Sequence, residues 1–205
     1  MASSVGAPTM REATTIEQRP DVTAPRSPAG PGVADVAEPS PAAFRAAMGS
    51  FLTGVAVMTT EADGAPHGMT ANAVSSVSLS PPLVLVCVDR TAHMAAAVAA
   101  GGVFALSFLA EDQAAVSSRF ADRSRGEGEE EFVGVDWSTA ATGARVLAGA
   151  VGFVDCRVDT IAEAGDHLIV IGEVVALGAR PELAPLAYFR GGYGGYRAAT
   201  AVERP

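Results

Sequence analysis

Lysine is absent from this 205-residue chain, and all fourteen of its basic side chains are arginine. That absence excludes any chemistry that depends on a lysine amine, and no GxxxxGK[ST] phosphate loop is present. Cysteine is nearly as scarce. Cys87 and Cys156 stand far apart with no CxxC spacing, which excludes a disulfide framework or a zinc site and leaves two reduced, buried thiols. The three histidines, His67, His93 and His167, belong to no HExxH or Cys/His cluster, so no metal is expected. There is no GxSxG elbow for a hydrolase. The glycines of GGYGGY do not match GxGxxG and do not sit between a strand and a helix, so a dinucleotide fold of the Rossmann kind has no support. No stretch reaches the roughly 18 apolar residues that span a bilayer, and no basic patch with an apolar run opens the chain, so the cytoplasm is the expected location and a membrane is not a partner. A net charge of −9 repels phosphodiester backbones, which removes nucleic acid as well.

What is present is apolar. Hydrophobic residues make up 49% of the chain, enough for one domain with a core. Residues 1–39, rich in Ala, Pro, Ser and Thr, read as a disordered tail, the domain as 40–197, and 198–205 as a C-terminal tail. Ser40-Pro41 opens a helix whose Phe44, Met48, Phe51 and Leu52 fall at helical spacing and are expected in the core. GVAVMTT reads as a strand, Asp63-Gly64 as a turn and His67 to Thr70 as its hairpin partner. Leu83 to Val88 is apolar on both faces and marks a covered strand. Thr91 is expected to cap an alanine-rich helix that stops at Gly101-Gly102. Val103 to Leu109 is a further strand, and Glu111 to Ala121 a helix. Asp122 to Glu131 has no apolar period and reads as a solvated loop. Val154, Cys156 and Val158 alternate with Asp155, Arg157 and Asp159, a strand with one wet face, and Ala164-Gly165-Asp166 turns it into His167-LIVIGEVV. With strands dominant and no βαβ rhythm, an antiparallel barrel or an α+β domain fits best.

The stretch Gly68 to Asp89, GMTANAVSSVSLSPPLVLVCVD, stands out. Thr70, Ser75, Ser76, Ser78 and Ser80 are interspersed with Ala71, Asn72 and Ala73. Small side chains let a ligand approach the main chain, and hydroxyls with backbone N–H groups can bind a phosphate or a ring edge without lysine. A plain serine-rich turn between strands is the alternative reading of the same residues.

Six blocks occur in one order: TGVAVMTT, GMTANAVSSVSLSPPLVLVCVDR, VFALSFLAEDQAAVSSRFA, GVDW, AGDHLIVIGEVVALG and PLAYFRGGY. Together, over about Pro41 to Tyr196, the chain resembles the flavin reductase family. The resemblance implies a mainly β, split-barrel FMN-binding fold and an NAD(P)H:flavin oxidoreductase that passes hydride from nicotinamide C4 to flavin N5. It further implies FMN or FAD as flavin, NADH or NADPH as donor, a homodimer, and a monooxygenase that receives the reduced flavin. The ring would lie on Thr70, Ala71, Asn72, Ala73, Ser75 and Ser76, with its ribityl phosphate toward Ser75, Ser76, Asp89 and Arg90. Thr53, Gly54 and Val55 would lie near the same pocket, and Phe120 would form a wall. His167 reads as a structural hydrogen-bonder on its own, and as the nicotinamide-side residue by resemblance. Tyr193 would line that pocket, and Arg190 would meet a nucleotide phosphate or serve as surface charge. Two departures from the family pattern are Ala73-Val74, where a serine and an aromatic are common, and the acidic GEGEEEF, whose Glu131 would repel an anion. The rivals are a flavin- or haem-binding module without catalysis and a small-molecule flavin oxidase on the same barrel.

Overall fold

The computed structural model describes residues 38–196, so the expected tails fall outside the described residues except at 38 and 39. Helix α1 spans Pro41–Met48, with the Ser40 hydroxyl accepting from the Ala43 amide and proline at the first helical position. Its apolar residues are a correction to the expected core. No residue of α1 is buried, and Phe44, Met48, Phe51 and Leu52 are 52–68% exposed.

Strands β1 (Thr53–Gly54) and β2 (Ala56–Ala62) follow, and Asp63-Gly64, both at positive φ (52° and 75°), turn the chain tightly into β3 (Ala65–Ala71). Asn72 and Ala73 then connect β3 to β4 (Val74–Leu79), and β5 is Pro82–Asp89. Helix α2 (His93–Gly101) has Ala92, not Thr91, at its N-cap, because Thr91 gives both its amide and its hydroxyl to the Asp89 carboxylate. It ends at Gly102 in the left-handed conformation, as expected. The chain continues through β6 (Val103–Phe108), a 3-10 turn at Glu111–Gln113, α3 (Ala114–Ala121), and the small hairpin of β7 (Trp137–Thr139) and β8 (Arg145–Leu147). The long hairpin of β9 (Gly152–Ala164) and β10 (His167–Ala179) precedes β11 (Leu186–Phe189) and β12 (Gly192–Gly195).

The main sheet has seven strands in the order β3-β2-β6-β9-β10-β5-β4, every neighbouring pair antiparallel. Strands β3 and β4, consecutive in the chain, are therefore the two edges of one sheet. A two-residue link can join opposite edges only if the sheet curls until they meet, and register shifts at Ile171/Gly172 and Val174/Ala176 supply bends of the kind that curl a long hairpin. The result is an incompletely closed, split barrel, with β1, β11 and β12 as a separate three-stranded sheet.

Strand β2 separates two cores. Met58 faces the barrel interior with Val86, Val88, Phe104, Leu106 and Val170, where α2 contributes Met94 and Val98. Val57, one residue away and so on the opposite face, packs with Leu109, Phe120, Phe132 and Leu186. Cys156 is fully buried in the first core; burial, with a contribution from the neighbouring Asp155, pushes its thiol up to about 12, so it stays protonated and inert. Asp155 corrects the expected wet face of β9. It is 0% exposed, and its carboxylate accepts from the Ala141 and Thr142 amides and the Thr142 hydroxyl.

The expected solvated loop 122–131 is also corrected. Gly128–Phe132 forms a 3-10 turn, and Glu131 is 4% exposed. Its Oε2 accepts from the Gly68 amide at 2.8 Å and from Arg125 at 3.1 and 3.2 Å, so the carboxylate is neutralised inside the protein and does not face solvent as a free anion. Arg125 also donates to the Gly68 carbonyl. Both backbone groups of Gly68 are thus held by side chains, at a point where a Cβ would lie 2.4 Å from the Phe120 ring. Next to this network the buried Arg145 stacks on Phe132 (4.6 Å) and Trp137 (3.9 Å) and pairs with Glu61 and Glu129. Burial pulls the Arg145 guanidinium down, but the two carboxylates outweigh it and hold the group firmly charged.

Candidate active site

Two clefts meet at the β3–β4 connection. The larger, about 1520 Å³, is apolar: α1 and the segment after it form one wall, Thr53 to Ala56 with Leu186 and Tyr188 the opposite side, and Leu85 and Cys87 of β5 the floor. The smaller, about 570 Å³, is polar and falls in the ordinary range for a small-molecule site. Its lining includes Thr70, Asp89, Thr91, Phe120, Arg123, Arg125 and His167. Ala71, Asn72, Ala73 and Cys87 border both clefts and form the ridge between them. The small residues at 71–73 are what allow two concavities to approach one strand of main chain from either side.

The residues singled out in the sequence distribute over this geometry. Thr53, Gly54, Val55 and Ser75 line the apolar cleft; Thr70, Asp89, Phe120 and His167 line the polar one. The expectation of a single pocket containing both groups is therefore replaced by two adjoining clefts. Ser76, Arg90 and Tyr193 line neither. The serine cradle is mostly an exposed edge strand: Ser75 and Ser76 pair with Leu85 and Val84, a strand's length from Asp89, and the Ser75 hydroxyl bonds the carbonyl of Ser76. Arg90 pairs with Glu163 at 3.2 Å. Tyr193 joins its hydroxyl to that of Ser117 at 2.8 Å and tilts against Tyr188, a wall of the apolar cleft. Phe120 is 1% exposed and meets Phe132 edge-on at 5.2 Å, a core residue whose rim reaches the cleft. Arg190, at φ 49°, borders the apolar cleft and donates to the Ser50 hydroxyl at 3.3 Å.

Electrostatics are set by pairing. The Asp89 carboxylate is held far below the usual carboxylate range by the amide and hydroxyl of Thr91 and then by Arg123, and is a permanent anion. Across the β5–β10 register it stands opposite His167, whose Nδ1 lies 2.8 Å from the Asp166 carboxylate. His167 lowers the Asp166 pKa through this bond. An ionised carboxylate can only accept, so Nδ1 carries the proton toward Asp166 and Nε2 is left as the ring atom available to a ligand. Thr70 has spent its proton on the Ser117 carbonyl at 2.6 Å and can offer a ligand only lone pairs. Burial raises the Cys87 thiol, so it is a soft contact and not a nucleophile.

Sequence reasoning left His67 and His93 without a role, yet both line the polar cleft beside His167. Arg123 and Arg125 were missed altogether. The available signal was proximity in sequence: His67 and His93 flank the stretch from Gly68 to Asp89 that had already been singled out.

The fit of a flavin is tested by one atom. Among the described residues, the Thr53 hydroxyl is the buried side-chain polar atom that finds no hydrogen-bond partner, and its residue lines the apolar cleft. Such an orphan costs free energy unless a ligand satisfies it. An apolar wall with a lone hydroxyl, a ridge of accessible main chain and a polar annex match a flat apolar ring with a polar rim and an anionic tail. Thr53→Val is therefore expected to raise the unfolding free energy of the ligand-free protein by about 1 kcal/mol and to weaken flavin binding about fivefold. Denaturant titration and fluorescence-quenching titration read the two effects; a valine variant that binds flavin as well as the parent would separate Thr53 from the site.

The family model described as a flavin reductase like domain matches residues 48–197. The chain belongs to this family. The reductase subunit HsaB of the flavin-dependent monooxygenase of Rhodococcus jostii (strain RHA1) is 35% identical over 165 residues, covering 80% of this chain and 83% of that protein. The NADH-dependent FAD reductase of Streptomyces globisporus is 44% identical over 133 residues, covering 64% and 72%. Among solved structures, the NADH:FAD oxidoreductase SgcE6 of Streptomyces globisporus C-1027, in complex with NAD and FAD fragments, superposes with a TM-score of 0.74 at 37% identity, covering 83% of this chain and 100% of that one. For this flavin reductase, then, the curled sheet shares the fold of a protein solved with NAD and FAD fragments.

Proposed function

We propose that this flavin reductase oxidises a reduced nicotinamide nucleotide and delivers the reduced flavin to a separate monooxygenase, with the two substrates meeting over the ridge at 71–73. The observation that carries this reading is the pair of clefts sharing that ridge, one apolar and one polar, with His167 at the polar side. A bound flavin would supply the hydride-accepting chemistry for the reduced nicotinamide, so no covalent role is asked of a side chain. The protein's part is placement. Main chain at Ala71, Asn72 and Ala73 would bear the ring, and Thr53 with Gly54 and Val55 the apolar-cleft side of its rim. His167 Nε2 would orient the carboxamide or ribose of the nucleotide, its ring fixed by Asp166. Waterproofing comes from the aliphatic floor of Leu85 and the aromatic wall of Tyr188.

Anaerobic mixing with NADH or NADPH and each of FMN, FAD and riboflavin, followed at the oxidised-flavin absorbance, tests the activity. Bleaching is expected with at least one pair; none with any pair would return the chain to the flavin- or haem-binding module. His167→Ala is expected to raise the nucleotide KM about tenfold, the equivalent of one hydrogen bond of 1.4 kcal/mol, while flavin affinity changes less. The reverse pattern would reassign His167 to the flavin.

The same reading makes the protein a homodimer. What supports it is the uncovered apolar side of α1 with Phe44 and Met48, continued past the helix by Phe51 and Leu52, which borders the apolar cleft. A second subunit over this side would complete the cleft, and sedimentation as a monomer at micromolar concentration would remove that part. The domain is taken as 40–197 and the location as cytoplasmic; among the described residues no helix is long and apolar enough to cross a membrane.

A further inference from the structure

Four side chains that line the polar cleft turn their protons toward the protein. Thr70 donates its hydroxyl proton to the Ser117 carbonyl at 2.6 Å, and Thr91 donates its own to the Asp89 carboxylate at 2.8 Å. His167 directs Nδ1 at the Asp166 carboxylate, also at 2.8 Å. Arg125 spends Nε and Nη2 on Glu131, Nη2 also on the Gly68 carbonyl, and Nη1 on the Asp122 carbonyl.

A hydroxyl usually rotates to suit its ligand, but that of Thr70 is not free to do so. A carbonyl oxygen cannot donate, and two oxygens 2.6 Å apart repel unless a proton lies between them. The acceptor is main chain of α3 and is itself held in place: Ser117 is 0% exposed, and its hydroxyl is tied to that of Tyr193 at 2.8 Å. Thr70 therefore meets the cleft with lone pairs alone. It lies on β3, one residue before the ridge at 71–73. A ligand carbonyl placed against those lone pairs is repelled, whereas a ligand N–H is bound.

We propose that Thr70 is a specificity-determining residue of the polar cleft, an obligate acceptor that selects an amide-type N–H on its substrate, either the carboxamide of the nicotinamide or N3–H of the isoalloxazine. This rests on the reading that flavin and nucleotide meet at the ridge. The two groups offer the same chemistry, a planar N–H beside a carbonyl. A site that bonds such a donor rejects the analogue lacking it, because its own acceptor is then left unpaired.

The test is calorimetric titration of the full-length protein, without turnover, in two arms. One compares FAD and FMN with their 3-methyl derivatives, which lack the N3–H; the other compares NAD+ with its 3-acetylpyridine analogue, in which a methyl group replaces the amide nitrogen. In one arm the parent ligand is expected to bind about tenfold more tightly, and that arm identifies the group that Thr70 holds. Thr70→Val keeps the shape of the side chain and suits the edge strand β3, and it is expected to shrink the gap to about twofold. Thr70→Ser keeps the hydroxyl and is expected to keep the gap. A penalty from bulk or ring electronics alone survives in the valine variant. Equal affinities in both arms, a gap that valine leaves intact, a gap that serine abolishes, or no binding of any ligand would overturn the proposal. Turnover is read separately: failure to bleach any flavin sinks the reductase reading, whereas the titration judges Thr70 whether or not turnover occurs.

Discussion

Glu131→Ala is expected to lower the unfolding free energy by about 3–5 kcal/mol, the cost of stripping one partner from a buried ion pair. The substitution leaves the Arg125 guanidinium, itself largely enclosed, without its carboxylate, and it orphans the Gly68 amide. It also loosens the wall of the polar cleft, because Gly68 is clamped against Phe120 by these two side chains. Denaturant unfolding followed by the fluorescence of Trp137 measures the loss. Glu131→Gln keeps an acceptor for the Gly68 amide and should lose roughly half as much. A change below about 1 kcal/mol for the alanine variant would mean that solvent reaches this carboxylate and that the pair behaves as a surface one.

Asp155→Ala is expected to cost about 3 kcal/mol, a fall in Tm of roughly 6–12 °C for a chain of this size. Its carboxylate is the shared acceptor for two amides and a hydroxyl of the loop at 141–142, and the loop leads directly into β8 and Arg145. Because Asp155 lines neither cleft, the folded variant should bind flavin like the parent. Differential scanning fluorimetry with and without flavin separates the two quantities, and a variant of normal Tm with weakened flavin binding would contradict this assignment.

These two carboxylates show where the sequence falls silent. Alternation along β9 places Asp155 on a wet face, and the acidic run around Glu131 reads as solvated, since both readings weigh only neighbours in the chain. What buries them is remote: a loop amide fourteen residues away for Asp155, and Gly68 with Arg125 for Glu131. Local rules did well where the cause is local. Ser40-Pro41, the Asp63-Gly64 turn, the Gly102 stop and the hairpin around Gly165 all follow from cap and turn chemistry that a few adjacent residues decide. Helical spacing at Phe44 and Met48 correctly finds an apolar stripe on α1, but periodicity says only that a face is apolar, not what covers it. A cavity bordered by Thr70 to Ala73, Thr53 to Val55 and His167 was legible in the sequence. Its division into two clefts was not, because it depends on which strands become the edges of the sheet.

The link at Asn72 and Ala73 ties those edges together. Any molecule resting across it bears at once on both lips of the barrel's seam. On the proposed placement of the two substrates, their occupancy and the tightness of that seam would therefore draw on a common free energy.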